Sequence, residues 1–208
     1  MIRTPSLPSA ATLVLLASLS ILAAGCSGGD GQDADVAEGK LHVVATTMQV
    51  GDLVGELGAD HVVVTVLMGP GLDPHQYKAS AGDVERLGRA DLIVYNGLHL
   101  EAKMAEVLER LNDRKPTLAV AGAVPDEQLI ATDGAHDPHV WFDVSLWRHG
   151  MEAVAAKLAE LDPEHADTYT LRANHLRERF ADLHAWCGEQ IARIPTDQRV
   201  LVTAHDAF

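Results

Sequence analysis

Two histidines of this chain are introduced in the same way, as Asp73-Pro74-His75 within GPGLDPHQY and as Asp137-Pro138-His139 within DPHVWFD. Proline fixes φ just ahead of each imidazole, so each side chain leaves a turn whose shape is set before any ligand arrives. A third loop histidine, His205, follows the apolar run VLVTA. Imidazole nitrogens are good donors to divalent transition metals, and three of them in separate well-defined loops predict a shared metal site. A single Asp-Pro-His would read as a solvated surface turn, and eleven histidines in 208 residues put some in loops by chance. Position sets these three apart, because the β-branched or apolar runs VVVTVLM, TLAVAG and VLVTA precede His75, His139 and His205 respectively. If those runs are parallel strands, all three imidazoles lie at carboxyl ends, where open α/β sheets bind their ligands. Asp73, Asp137 and Asp143 are candidate acceptors for ring N–H groups, orienting the imidazoles and fixing their tautomers; plain turn stabilisation is the other reading of each.

The elements that must position these loops alternate along the chain. Leu41 to Thr47, Val62 to Leu67, Asp91 to Tyr95 and Thr117 to Ala121 read as buried strands. Between them, Gln49 to Leu57, Ala81 to about Gly88 and Glu101 to Leu111 carry helical spacing, and Ser80 with Asp83 three residues on predicts an N-cap for the second of these. Strand and helix in alternation predict an α/β fold with a parallel sheet covered on both faces, forming a first lobe over residues 40–147. His136, close to His139 but without a proline to fix it, reads as a solvated neighbour. A helical connection follows over residues 148–195, first from about Leu146 to Leu161 and then in a longer helix opened by Pro163. There Tyr169, Ala173, Leu176, Phe180, Leu183, Trp186 and Ile191 recur at threes and fours. At 1.5 Å per residue this stripe runs for ~45 Å, enough to brace two lobes. His165, His175 and His184 on the same helix read as a solvated face, and Cys187 as structural filler. Arg199 to Ala204 begins a new strand, and the stop at Phe208 predicts that residues 196–208 are the start of a truncated second lobe.

Composition bounds the function classes. With 47% hydrophobic and 22% charged residues the chain has globular proportions, and a net charge of −14 argues against nucleic acid and is compatible with attracting cations. Residues 1–25 combine Arg3 with the apolar run Ala11 to Ala24 and read as a signal peptide. The junction Ala23-Ala24-Gly25-Cys26 resembles the bacterial lipoprotein signal, which implies cleavage before Cys26 and a lipid on its thiol. Ala23 departs from the leucine usual at its position, and ordinary secretion is the alternative. Residues 26–39, rich in Gly and Asp, then read as a flexible tether holding the folded part off a membrane. Cys187 alone closes no intramolecular disulfide once Cys26 is an anchor.

Four stretches, GLDPHQY, ADLIVYNGLHLEAKM, DPHVWFDVSLW and VLVTAHDAF, together resemble the metal-binding solute-binding proteins of zinc and manganese ABC importers, the TroA-like group, over Leu41 to Phe208. The resemblance implies two parallel-sheet lobes joined by one long helix, with the metal in the cleft between them. It implies His75, His139 and His205 as ligands, with a fourth, an Asp of the second lobe, beyond the end of this chain. It also implies a monomer that carries Zn²⁺ or Mn²⁺ as transported ligand to an ABC permease from the extracytoplasmic face, without being an enzyme. A third imidazole suits Zn²⁺, whereas the short loop before His139 lacks the His-rich insert of many zinc members, so manganese stays open. A lipid-anchored adhesin of the same fold is an alternative. A zinc hydrolase is another, although no HExxH or paired acid–base motif accompanies the histidines.

Overall fold

The computed structural model describes residues 39–132 and 134–202. Four parallel strands form the sheet: β1 (Leu41–Thr47), β2 (Val62–Met68), β3 (Leu92–Tyr95) and β4 (Thr117–Ala119), in the order β2-β1-β3-β4. In register, Val43 of β1 lies beside Val64 of β2 and Leu92 of β3, and Val94 of β3 beside Leu118 of β4.

Side chains alternate across the sheet as strand geometry requires. Val43, Ala45, Leu92 and Val94 point into a core shared with α1 (Met48–Gly58), α4 (Val144–Leu161) and the first half of α5 (Ala166–Ala192). Val44 and Ile93 point the other way, towards α2 (Ala81–Arg89) and α3 (Ala105–Asn112). The central strands β1 and β3 are therefore buried on both faces, which is why they read as continuous apolar runs rather than alternating ones, while the edge strands β2 and β4 are only partly covered. α4 reaches the sheet closely: a Cβ on Gly150 would stand 2.2 Å from Val120 Cγ1. Between β4 and α4 the chain makes a two-stranded antiparallel hairpin, β5 (Ala131–Thr132) and β6 (Ala135–His136).

β1 and the capped start of α2 fall where the sequence predicts them. The Ser80 hydroxyl accepts from Asp83 N while the Asp83 carboxylate accepts from Ser80 N, a reciprocal capping box. Three expectations are corrected. The helix predicted from Glu101 starts at Ala105 after a 3₁₀ turn over Ala102–Met104, because Glu101 turns inward. The strand predicted to Ala121 ends at Ala119, where the chain tightens into a 3₁₀ turn over Ala121–Ala123. Arg199 to Val202 carries no strand pairing among the described residues, and Val202 is 89% exposed; a strand needs a neighbour, and no described strand stands beside these residues.

The apolar stripe of α5 divides in two. Tyr169, Ala173 and Leu176 are buried in the core with Phe180 packed against it, whereas Leu183, Trp186 and Ile191 are exposed. Arg172 Nε donates to the Glu56 carbonyl and Arg179 pairs with the Glu56 carboxylate, fastening α5 to the end of α1. His175 and His184 are exposed as predicted, but His165 is not a solvated residue: its ring stacks on His61 at 3.8 Å and meets the Asp162 carboxylate at 2.8 Å. No helix among the described residues is long and apolar enough to cross a membrane.

Candidate metal centre

The two Asp-Pro-His turns meet at the carboxyl edge of the sheet. β1 leads to β2 on one side and β3 to β4 on the other, so the strand order reverses between β1 and β3, and a crevice opens where such reversals place ligands. A cavity of about 530 Å³ lies there, walled by the ends of β1 and β2, the loop carrying His75, and His139 with Trp141 and Phe142.

His75 is placed by its own loop. Asp73 Oδ1 accepts from His75 N at 2.9 Å, and Gln76 N donates to the Asp73 carbonyl, closing the turn around Pro74. Tyr77 then ties the loop to α2, its hydroxyl donating to Asp83 Oδ2 at 2.8 Å. Burial raises the Tyr77 hydroxyl, and the Asp83 carboxylate beside it adds to the rise. Burial also pushes Asp83 up, but the bonds from Ser80 and Tyr77 and the charge of Arg86 outweigh it and leave Asp83 below the ordinary carboxylate value.

His139 opens a 3₁₀ turn over Val140–Phe142 that leads into α4. Asp137 Oδ1 accepts twice from it, from the main-chain N at 2.9 Å and from ring Nδ1 at 2.7 Å. A carboxylate only accepts, so Nδ1 carries its hydrogen there, and in the neutral ring the Nε2 lone pair faces His75 Nε2. The side chain is 9% exposed, with the Trp141 ring edge-on at a centroid distance of 5.2 Å. Pro138 is held as well, its carbonyl accepting from Asn96 Nδ2 at 2.9 Å.

These turns bring His75 Nε2 to 3.2 Å from His139 Nε2, with ring centroids 5.2 Å apart. Two nitrogens bound at 2.0–2.1 Å to one tetrahedral zinc ion stand about 3.3–3.4 Å apart. The pair therefore has the separation of two donors on one ion, and both nitrogens are aimed at the same space.

The three carboxylates fare differently. Asp137 meets the ring of His139, whereas Asp73 meets the main chain of His75. Asp143 caps α4, accepting from Ser145 N at 2.8 Å and from the Ser145 hydroxyl at 2.6 Å, with His184 Nδ1 at 3.8 Å. Burial raises Asp143, but Ser145, the Leu146 amide and the His184 charge bring it below the usual carboxylate range. His205 and Cys26 lie outside the described residues. His136, expected to be solvated, is half-buried on β6, its Nδ1 without a partner among the described residues, and it lines a separate cavity of about 500 Å³.

The description ZnuA: Zinc-uptake complex component A periplasmic matches residues 43–208 of this chain. The chain belongs to this family. It is 47% identical over 174 residues to the manganese-binding lipoprotein MntA of Bacillus subtilis, covering 83% of this chain and 57% of that one. It is 44% identical over 173 residues to the zinc-binding protein TroA of Treponema pallidum, covering 83% of this chain and 56% of TroA. The solved structure of that periplasmic zinc-binding TroA superposes with a TM-score of 0.79 at 43% identity, over 81% of this chain and 61% of the solved one. The α/β fold with its long helix is thus the fold of the family, and the chain spans somewhat over half the length of the relatives it matches. These relatives are named for the metal they bind rather than for a reaction.

Two residues of the site escaped the sequence reading, Asn96 and Glu101. Both are buried, and Glu101 accepts from Thr46 Oγ1 at 2.7 Å, Asn96 N at 2.8 Å and Gly97 N at 3.1 Å. The available signal was an Asn-Gly turn directly after a buried strand with a carboxylate four residues on; helical spacing assigned that Glu to a helix instead.

Proposed function

We propose that this chain captures a divalent transition metal, Zn²⁺ or Mn²⁺, outside the cytoplasm and passes it to an ABC permease, with His75, His139 and His205 as ligands. The observation that carries this reading is the 3.2 Å separation of His75 Nε2 and His139 Nε2, the spacing of two donors on one ion, set by two rigid turns. The family supports the assignment, since one relative is named for zinc and another for manganese. Asp137 prepares His139 as a ligand by holding its hydrogen on Nδ1. A protein that carries a metal needs ligands fixed in advance and no substrate at the ion, and both turns are fixed without metal.

Binding requires neutral His75 to present its Nε2 lone pair too, so in the metal-bound form its ring hydrogen sits on Nδ1, reached from Nε2 by exchange with solvent. A nitrogen-rich site favours zinc over manganese thermodynamically, whichever ion the cell delivers. The reading includes a signal peptide over residues 1–25, a lipid on Cys26 and a tether to residue 39, placing the folded part at the cell envelope; MntA of Bacillus subtilis is itself named a lipoprotein. It also includes a first lobe over 40–147, a helical connection over 148–195, a second lobe begun at 196–208, and action as a monomer.

The test is titration of the metal-free chain with Zn²⁺ and with Mn²⁺ against a chromophoric chelator. One ion per chain is expected, zinc binding the tighter, and the His75→Ala/His139→Ala double variant is expected to lose it. Undiminished binding by the double variant would place the metal elsewhere.

A further inference from the structure

We propose that Glu101 and Asn96 form a latch that holds His139 in its metal-binding position, with Asn96 as the positioning residue; the inference rests on reading His75 and His139 as a metal pair. The latch begins with a carboxylate buried to 3% exposure. Burying a carboxylate is costly unless it is hydrogen-bonded, and Glu101 is bonded to the Thr46 hydroxyl at the end of β1 and to the amides of Asn96 and Gly97 just past β3. Those amides belong to a strained turn. Gly97, Leu98 and His99 follow one another at φ 88°, 49° and 65°, so two residues with side chains sit in the left-handed region. Such a conformation persists where its surroundings over-determine it, and Glu101 supplies that determination from inside.

The turn gives Asn96 its direction. The side chain is 0% exposed, and its two N–H groups donate to the Gly97 carbonyl at 3.1 Å and to the Pro138 carbonyl at 2.9 Å, across 42 residues of chain. Pro138 is bonded directly to His139. It has no amide hydrogen, so its carbonyl is its one main-chain handle. Fastening the turn alone would need no more than the main-chain amides that Glu101 already holds. The Asn96 side chain instead reaches the loop that carries the metal pair, so strain stored beside β3 fixes the height of His139 opposite His75.

The test compares Asn96→Leu, which removes both donors and keeps the branching at Cγ, with Leu158→Ala, a buried residue of α4 in the core against α1 and α5. Zinc affinity by chelator competition, melting temperature, and the His139 Nδ1 proton in the NMR spectrum of the metal-free chain are measured for each. Asn96→Leu is expected to weaken zinc about tenfold or more and to shift the Nδ1 proton, as loss of ligand support does. Leu158→Ala is expected to lower the melting temperature at least as much and to move neither. The latch is overturned if Asn96→Leu keeps wild-type affinity and proton signal, or if both variants lose zinc in step with stability. Failure of the wild type to bind zinc would remove the metal reading, while the metal-free proton signal would still report whether Asn96 holds His139. Should the leucine variant not fold, Asn96→Asp, which keeps the shape but sets an acceptor against the Pro138 carbonyl, is judged by the same outcomes.

Discussion

Replacing Asp137 by alanine removes two hydrogen bonds to His139, one to the ring at 2.7 Å and one to the main chain at 2.9 Å. The ring bond joins a carboxylate to an imidazole that is 9% exposed, so solvent compensates its loss poorly. Hydrogen bonds to charged groups contribute about 1.5–3 kcal/mol, and carboxylates that support a metal-bound imidazole are worth about 10–100-fold in affinity, or roughly 1.4–2.7 kcal/mol. The two estimates agree, and loss of the main-chain bond favours the upper end by letting the turn relax. Asp137→Ala is therefore expected to weaken Zn²⁺ by about 10–100-fold, and Asp137→Asn, which keeps an acceptor oxygen without its charge, by about tenfold or less. Chelator competition on the metal-free chain at one fixed pH measures both, with melting temperature as the control for folding. Binding by Asp137→Ala within twofold of wild type would refute the argument, because a ligand that needs no carboxylate is not held in the way described.

Other outcomes follow from the same geometry. His139→Ala should weaken Zn²⁺ by more than a hundredfold, since one ligand of a site worth ~10–16 kcal/mol contributes on the order of 3 kcal/mol, whereas His136→Ala should leave the affinity nearly unchanged; calorimetry giving equal losses would remove His139 from the site. Gly150→Ala should destabilise the fold by about 1–3 kcal/mol in urea unfolding, less the helix propensity it gains, because the new methyl meets Val120 Cγ1 at 2.2 Å; unchanged stability would mean that α4 stands further from the sheet. Burial raises the Asp162 carboxyl, but bonds from the Tyr169 hydroxyl at 2.6 Å and from His165 bring it below its ordinary value, so its stabilising contribution is present above the unfolded carboxylate pKa and is lost as pH falls through the lower folded one. Asp162→Asn should flatten the pH dependence of the melting temperature in that acid window, and an unchanged profile would assign the acid sensitivity to other carboxylates. Cys26→Ala should move the protein from the membrane fraction to the soluble one in fractionated cells, and retention would mean a different anchor.

Much of the fold was legible because its signals are local. β1 at Leu41–Thr47 is a continuous apolar run, and the Ser80–Asp83 capping box is a spacing of three; the signal of each lies within a few residues, although β1 itself forms by pairing with β2 and β3. The paired Asp-Pro-His turns were legible for the same reason, each turn being built from its own residues. What stayed hidden depends on contacts between distant segments. Glu101 has the spacing of a helical residue, and the pull of the Asn96 and Gly97 amides, the Thr46 hydroxyl and the strained turn removes it from the helix. His165 looked like one more polar residue on a long helix until His61 arrived against it. The stripe of α5 gave the length of the helix but not where its cover ends, because periodicity records which residues are apolar and not what stands opposite them.

The division of α5 gives the helix the mechanics of a cantilever. Its root is clamped, with Tyr169, Ala173 and Leu176 in the core and Arg172 and Arg179 tied to Glu56, while Leu183, Trp186 and Ile191 are exposed and His184 Nδ1 stands 3.8 Å from Asp143 Oδ1. From Phe180 to Ala192 the outer arm is roughly 18 Å long, so a tilt of about 5° at the root displaces the tip by about 1.6 Å. Glu56 ends its tie at Arg179, one turn beyond the last buried residue, where a brace best resists bending. Removing that carboxylate would leave the core intact and loosen the pointing of everything the helix carries at its far end.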